Sequence, residues 1–236
     1  MASKRGPELP YRVVAGMTPW ATRWVVASAK MAGSTFAPEP PKLYDSFTDV
    51  LDEKPSFVAI VVNAPIGYVT GPGTDFRTCD RLARSVLAGR AMTVHRAPSR
   101  ATLLGSASPF DDHLDAVTAM LLPAYREIAI EMSPYRQRMV YEGKPELSFF
   151  ELNRGTAMRY SKRLEMGREE RRAILLERIP GIEKVLNAKL QGAPEKHLFD
   201  AAAMLWTARR VIGHAAKRLP EDAEWDSEGL RTEIVF

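Results

Sequence analysis

The stretch Phe57-Val58-Ala59-Ile60-Val61-Val62 decides the fold class, because it is an unbroken apolar run rich in β-branched residues. Such a run fits a strand that is buried on both faces, as parallel strands are when helices cover both sides of the sheet. It ends at Asn63-Ala64-Pro65-Ile66-Gly67, where proline and glycine indicate a turn. The stretch therefore predicts an α/β fold with a parallel strand at its centre.

Other strands are predicted on both sides of this one. Tyr11–Met17 and Arg23–Lys30 are short and rich in valine, and the segment 18–22 between them suits the turn of a hairpin. Arg138–Glu142 predicts a further strand, and Arg231–Phe236 a short edge strand. Helical periodicity dominates from residue 160 to residue 218. We expect one domain over residues 1–236, with a mixed sheet and a flexible N-terminus at residues 1–10.

The composition is that of an ordinary globular protein, with 45% hydrophobic and 26% charged residues. The 33 basic residues exceed the 29 acidic ones by a formal charge of +4, which permits a polyanionic partner without requiring one. Cys79 is the single cysteine, so the chain needs no oxidising compartment, and a structural zinc site is not expected. No apolar run approaches the ~20 residues of a membrane span, and we expect a cytoplasmic protein without membrane association.

Surplus basic charge gathers between Arg154 and Arg178, where eight basic residues stand against four acidic ones. A basic helix face of this kind can follow the phosphates of a nucleic acid. The candidate contacts are Lys162, Arg168, Arg171 and Arg172. The alternative is a solvated helix with internal ion pairs such as Glu165 with Arg168, and the sequence leaves both interpretations open.

Familiar nucleotide-binding and hydrolase motifs are absent from the sequence. Several weaker motifs nevertheless occur in a fixed order: Asn63–Gly67 (NAPIG), Arg77–Arg84 (RTCDRLAR), Tyr141–Phe149 (YEGKPELSF), Ser161-Lys162 with Gly167–Arg171 (GREER), and Asp200-Ala201 with Trp206–Arg209 (WTAR). Together they resemble an uncharacterised bacterial and archaeal family of predicted nucleases with an RNase H-like fold. The resemblance covers nearly the whole chain, from about Val13 to Val235.

That resemblance implies a five-stranded mixed sheet, with the first three strands antiparallel and helices on both faces. Active enzymes of this fold carry carboxylates on the first strand, the fourth strand and the last helix. These carboxylates hold two divalent ions ~4 Å apart that cleave a phosphodiester. Mg²⁺ or Mn²⁺ would be the cofactor if the protein is active, because oxygen ligands suit both ions.

The chain departs from the family pattern at four positions of the implied pocket. Thr18 and Asn63 stand where the family has aspartates, Lys144 replaces a histidine, and His197 replaces an aspartate. The absence of carboxylates from these two strands does not depend on how the chain is aligned with the family pattern, because no acidic residue occurs between Glu8 and Glu39 or between Glu53 and Asp75.

Three acidic residues of the family pattern remain as candidate catalytic residues: Glu142, Glu146 and Asp200. Glu142 and Asp200 are also the candidate metal ligands. With so few carboxylates, we expect weak or absent hydrolysis. The alternatives are a catalytically degenerate module that binds nucleic acid, a nucleotide or another phosphate-bearing ligand, with Lys144 and His197 facing the phosphate, or a module for protein interaction.

Overall fold

The computed structural model describes residues 10–236 and builds them around one mixed β-sheet. Its strands are β1 (Arg12–Trp20), β2 (Arg23–Ala32), β3 (Thr35–Pro38), β4 (Lys42–Tyr44), β5 (Phe57–Val62) and β6 (Val140–Glu142). The strand order is β3-β2-β1-β5-β6, and β4 pairs with β2. The predicted flexible N-terminus lies, except for Pro10, outside the described residues.

The directions of the strands confirm a mixed sheet. β2 is antiparallel to its neighbours β1 and β3, whereas β5 runs parallel to both β1 and β6. The expected number of five strands is wrong, because Lys42–Tyr44 adds a short strand beside β2. The segment 18–22 is also not all turn, since β1 continues to Trp20 and pairs there with Arg23.

Eight α-helices follow the strands within the described chain: α1 (Phe47–Leu51), α2 (Thr78–Leu87), α3 (Arg100–Leu104), α4 (Ala116–Glu131), α5 (Pro145–Leu152), α6 (Glu165–Arg178), α7 (Glu183–Leu186) and α8 (Glu195–Ile212). Ser46 caps α1 with a complete capping box, in which Asp49 is the reciprocal partner. None of the helices within residues 10–236 has the length and the apolar character needed to cross a bilayer.

The sheet separates two hydrophobic layers, because successive residues of a strand point to opposite faces. Val14 of β1 and Val61 of β5 pack towards α6, α7 and α8. Ala15 and Ile60, their neighbours, pack towards α1 and α4. Helices therefore cover both faces, as the apolar run of β5 predicts.

Gly16 lets α8 lie directly on β1. A Cβ atom at this position would stand 1.9 Å from the backbone nitrogen of Leu205, so no other residue fits without moving the helix. This close approach positions the first turns of α8 over the carboxyl end of β1.

The chain ends in a two-stranded antiparallel sheet of β7 (Arg218–Trp225) and β8 (Arg231–Val235). The predicted short strand at the end of the chain is confirmed over Arg231–Val235. The short connection folds β8 back onto β7, and an isolated bridge joins Val235 to Gly143, the residue after β6. The hairpin packs with α2 around the buried Cys79, and burial raises the pKa of the Cys79 thiol. Cys79 is thus a packing residue between the hairpin and α2.

Candidate functional site

The carboxyl ends of the parallel strands β1 and β5 bring Thr18 and Asn63 together. The backbone N–H of Asn63 donates to the Met17 carbonyl at 2.9 Å, which fixes the start of the turn after β5. The Asn63 side-chain amide Nδ2 then donates to Thr18 Oγ1 at 3.0 Å. The two positions where the resemblance implies aspartates are thus adjacent, and here they form a neutral hydrogen-bonded pair.

Helix α8 adds Asp200 and His197 on the same face of the sheet. Asp200 is buried, with 2% of its surface exposed. Its Oδ2 accepts a hydrogen bond from Lys162 Nζ at 2.5 Å, whereas its Oδ1 has no partner. We call Thr18, Asn63, Lys162, His197 and Asp200 the strand-end cluster. Lys162 comes from the segment before α6, so the ion pair joins two parts of the chain that lie far apart in sequence.

His197 is a neutral member of the strand-end cluster at physiological pH. Burial lowers the pKa of its imidazole to about 4; Asp200 opposes that effect, and Lys162 and Lys196 add to it. Its Nδ1 is buried without a hydrogen-bond partner. A neutral imidazole argues against the interpretation of this position as a cation that faces a phosphate.

The donors of the strand-end cluster do not fit a pair of divalent cations. A two-metal site needs several carboxylates, and this cluster contains one, which already binds an ammonium group. Throughout residues 10–236 there is no group of three or more His, Cys, Asp or Glu side chains that could hold a metal ion. We therefore derive no chemical step through Mg²⁺ or Mn²⁺.

Glu142 lies away from Asp200, on the other side of the sheet. Alternation along β6 points it to the face of Val140, which belongs to the layer of α1 and α4. Its carboxylate accepts hydrogen bonds from Arg77 at 2.6 and 2.9 Å and from the Ile66 N–H at 2.7 Å. The pairing of Glu142 with Asp200 as metal ligands thus lacks the geometry that a shared ion requires.

Arg77 and Lys144 complete a buried ion network around Glu142. Arg77 also binds Asp80 at 2.7 and 3.0 Å, and both side chains are almost completely buried. Lys144 Nζ lies 3.0 Å from Glu142 Oε1. Burial opposes the charge of Lys144, but Glu142 and Asp80 outweigh it and raise the pKa of this lysine. Lys144 therefore compensates a buried carboxylate and does not face the strand-end cluster, which corrects its expected role.

Glu146, the third candidate catalytic residue, forms a separate buried pair with Arg171. Arg171 NH2 donates to both carboxylate oxygens, at 2.7 and 2.9 Å, and its NH1 donates to the carbonyls of Tyr160 and Gly167. The side chain of Arg171 is 0% exposed. The prediction that Arg171 contacts nucleic acid is therefore wrong, because no phosphate can reach its guanidinium group.

The remaining basic candidates of α6 are partly compensated. Arg168 and Arg172 lie 3.9 and 3.7 Å from the Glu195 carboxylate at the start of α8. Arg172 also donates to Asn187 Oδ1. With Lys162 on Asp200, these candidates contact other elements of the fold. The alternative of internal ion pairs such as Glu165 with Arg168 is therefore not what the described structure shows, because the partner of Arg168 lies on α8.

Arg77 is the important residue that the sequence interpretation did not select. It belongs to the RTCDRLAR motif, in which the four-residue spacing of Asp80 and Arg84 on a helix predicts that those two pair. In the structure Asp80 binds Arg77 instead, three residues earlier, and Arg84 donates to the carbonyls of Ala91 and Val94. An arginine directly before a helix with an aspartate three positions later was the available signal.

The sheet and the polar cluster at the ends of its parallel strands define an α/β protein with a mixed sheet and one buried ion pair at the strand ends. The chain belongs to the family described as "Protein of unknown function (DUF429)", whose model matches residues 16–225. No curated protein matches the chain.

Two solved structures from Thermus thermophilus are similar to it. RuvC shares 16% identity, and RuvC in complex with Holliday junction substrate shares 20%. Each comparison covers 87% of this chain and 98% of the RuvC chain, with a TM-score of 0.36.

Proposed function

We propose that this protein is a catalytically degenerate member of its family, with an RNase H-like fold, that binds nucleic acid or another phosphate-bearing ligand without cleaving it. The strand order and directions support the fold, since three antiparallel strands are followed by two parallel ones. The formal charge of +4 is compatible with a polyanionic ligand.

One observation carries the loss of hydrolysis: Lys162 Nζ binds the only carboxylate of the strand-end cluster. A metal ion at Asp200 would have to displace this ammonium group or stand beside it, and like charges at such a distance repel each other strongly in a poorly solvated site. Thr18 and Asn63 supply only neutral oxygens, and the Thr18 hydroxyl oxygen already accepts a hydrogen bond from Asn63 Nδ2. The cluster therefore lacks the negative charge that holds two divalent ions.

The other carboxylates do not repair this deficit. Glu142 is neutralised by Arg77 and Lys144, and Glu146 by Arg171. Three carboxylates in three separate ion networks stabilise the fold, but they do not converge on one substrate atom. Hydrolysis by Glu142, Glu146 and Asp200 acting together therefore has no geometric support.

The test is an incubation of the purified full chain with single-stranded, duplex and hybrid oligonucleotides in Mg²⁺ or Mn²⁺. We expect no cleavage above that of the Asp200→Asn variant, together with binding that persists in EDTA. Metal-dependent cleavage that Asp200→Asn abolishes would overturn the proposal. Absence of binding to all three kinds of oligonucleotide at low salt would overturn the claim that the protein binds nucleic acid. Lys54→Gln, at an exposed position near the other end of β5, serves as the matched control.

A further inference from the structure

A second basic region of the chain lies outside the strand-end cluster and outside α6. From Arg81 to Phe110 the sequence contains no aspartate and no glutamate. Five arginines lie in this stretch: Arg81, Arg84, Arg90, Arg96 and Arg100. A segment with only positive charges is a candidate binding surface for an anionic partner only if acidic residues from the rest of the fold do not neutralise those charges.

Two of the five arginines are compensated. Arg90 lies 3.9 Å from the Glu146 carboxylate, and Arg100 lies 3.7 Å from Asp226. Arg81, Arg84 and Arg96 differ, because within the described part of the chain no carboxylate stands within 4.0 Å of their guanidinium groups. Their charges are therefore not neutralised by an ion pair within that part of the chain.

The three uncompensated arginines converge on Phe76. The guanidinium carbons of Arg84 and Arg96 lie 4.6 and 5.2 Å from the centre of its ring, and Arg81 NH1 donates to its carbonyl oxygen at 2.6 Å. Backbone carbonyls hold the first two in place: Arg84 donates to Ala91 and Val94, and Arg96 to Gly73 and Asp112. We call Arg81, Arg84 and Arg96 the Phe76 arginine cluster.

The acidic residues near this cluster bind other groups. Asp112 accepts hydrogen bonds from Ser99 and Gly73 through its carboxylate, which is therefore used within the loop. Asp115 is bound to His95. Asp75 is exposed and precedes Phe76, and among the described residues no ion pair joins it to the three arginines.

Two exposed apolar side chains accompany the arginines. Phe110 is 87% exposed, two residues before Asp112, whose carbonyl oxygen holds Arg96. Met92 is 77% exposed, and its Sδ lies 3.6 Å from Arg84 NH2. Basic side chains and an exposed aromatic ring on neighbouring segments suit a single-stranded nucleic acid, because phosphates bind the cations while an unpaired base stacks on the ring.

We propose that the Phe76 arginine cluster binds the backbone phosphates of a single-stranded nucleic acid and that Phe110 stacks on one of its bases. The inference rests on the proposed function, because it names the surface at which the protein binds nucleic acid without cleaving it, and the single-stranded form that this surface binds. The fixed guanidinium groups provide sequence-independent contacts, and base stacking distinguishes an open strand from a duplex.

The test is fluorescence anisotropy of a labelled oligothymidylate of about 20 nucleotides, titrated with the full chain at several salt concentrations. Arg81→Gln should reduce the dependence of log affinity on log salt concentration by about 0.7, the contribution of one phosphate contact. Phe110→Ala should weaken binding about ten-fold with little change in this slope. Arg81 and Phe110 are both exposed, so these variants should fold as the wild type does.

Matched controls come from other parts of the surface. Arg168→Gln removes a basic residue of α6, and Tyr135→Ala removes an aromatic side chain that is 74% exposed. Both should leave affinity and salt slope unchanged. If the wild type binds and Arg168→Gln weakens binding while Arg81→Gln and Phe110→Ala do not, the assignment of the surface is wrong but the proposed function stands. Equal affinity for duplex of the same length would overturn the single-strand assignment. No binding of the oligothymidylate at low salt would also overturn it, whereas nucleic-acid binding in the proposed function fails only if duplex and hybrid substrates do not bind either.

Discussion

Replacing Arg77 by methionine should destabilise the fold strongly, because it leaves two buried carboxylates without their main partner. Arg77, Asp80 and Glu142 are each at most 3% exposed at the side chain. Glu142 keeps Lys144 and the Ile66 N–H, but Asp80 loses both of its hydrogen bonds to a side chain. Methionine preserves the length of the aliphatic part, so the change mainly removes charge and hydrogen bonds.

The expected loss is about 3–5 kcal/mol of the free energy of unfolding, the range for breaking a buried ion pair by removing one partner. For a chain of this size that corresponds to a decrease in Tm of about 10 °C. Urea denaturation followed by circular dichroism measures the loss, and a thermal scan checks it independently. The double variant Arg77→Met with Asp80→Asn should recover part of it, because it neutralises the carboxylate that lost its partner.

The matched control is Arg23→Met, which breaks an exposed pair with Asp45. Surface pairs contribute about 0.2–1 kcal/mol, so this variant should stay close to the wild type. If Arg77→Met costs no more than Arg23→Met, the network around Glu142 is not structural. Glu142 would then again be a candidate for chemistry, and the argument for a non-catalytic protein would lose one of its supports.

Three further predictions concern α8 and the strand ends. The lowered pKa of His197, about 4 against an ordinary 6.5, means that the unfolded chain binds a proton more readily; its contribution to stability is present above pH 6.5 and lost as pH falls towards 4. Between pH 6.5 and pH 4 the free energy of unfolding of the His197→Gln variant should therefore fall by roughly 3 kcal/mol less than that of the wild type. Urea denaturation at several pH values measures this difference, and the same pH dependence in both proteins would contradict the lowered pKa. Thr18→Asp together with Asn63→Asp should create Mn²⁺ binding that calorimetry detects and that the wild type lacks; equal binding by both proteins would argue against the charge deficit. Gly16→Ala should cost about 3 kcal/mol or more in denaturation because its Cβ would collide with the Leu205 backbone, and a wild-type Tm would refute this close approach.

Local patterns in the sequence determined the main features of the sheet. The apolar run of β5 predicted a strand buried on both faces, and the valine-rich segments before it predicted the hairpin of β1 and β2. Both predictions are confirmed, because hydrophobic periodicity is a local property that burial must satisfy. The absence of acidic residues at Thr18 and Asn63 could also be read from the sequence, and it remains the basis of the proposed loss of hydrolysis.

Only the tertiary structure decided which charged groups meet. Glu142 binds Arg77 across 65 residues, Asp200 binds Lys162 across 38, and Arg171 is buried on Glu146 across 25. The net charge of a segment reveals none of these pairings. The partner of a buried charge is the opposite charge that the packing of the chain places next to it and buries with it. The sequence by itself thus determined the strands and the missing carboxylates, whereas packing decided that the basic residues of α6 are largely occupied and that those around Phe76 are not.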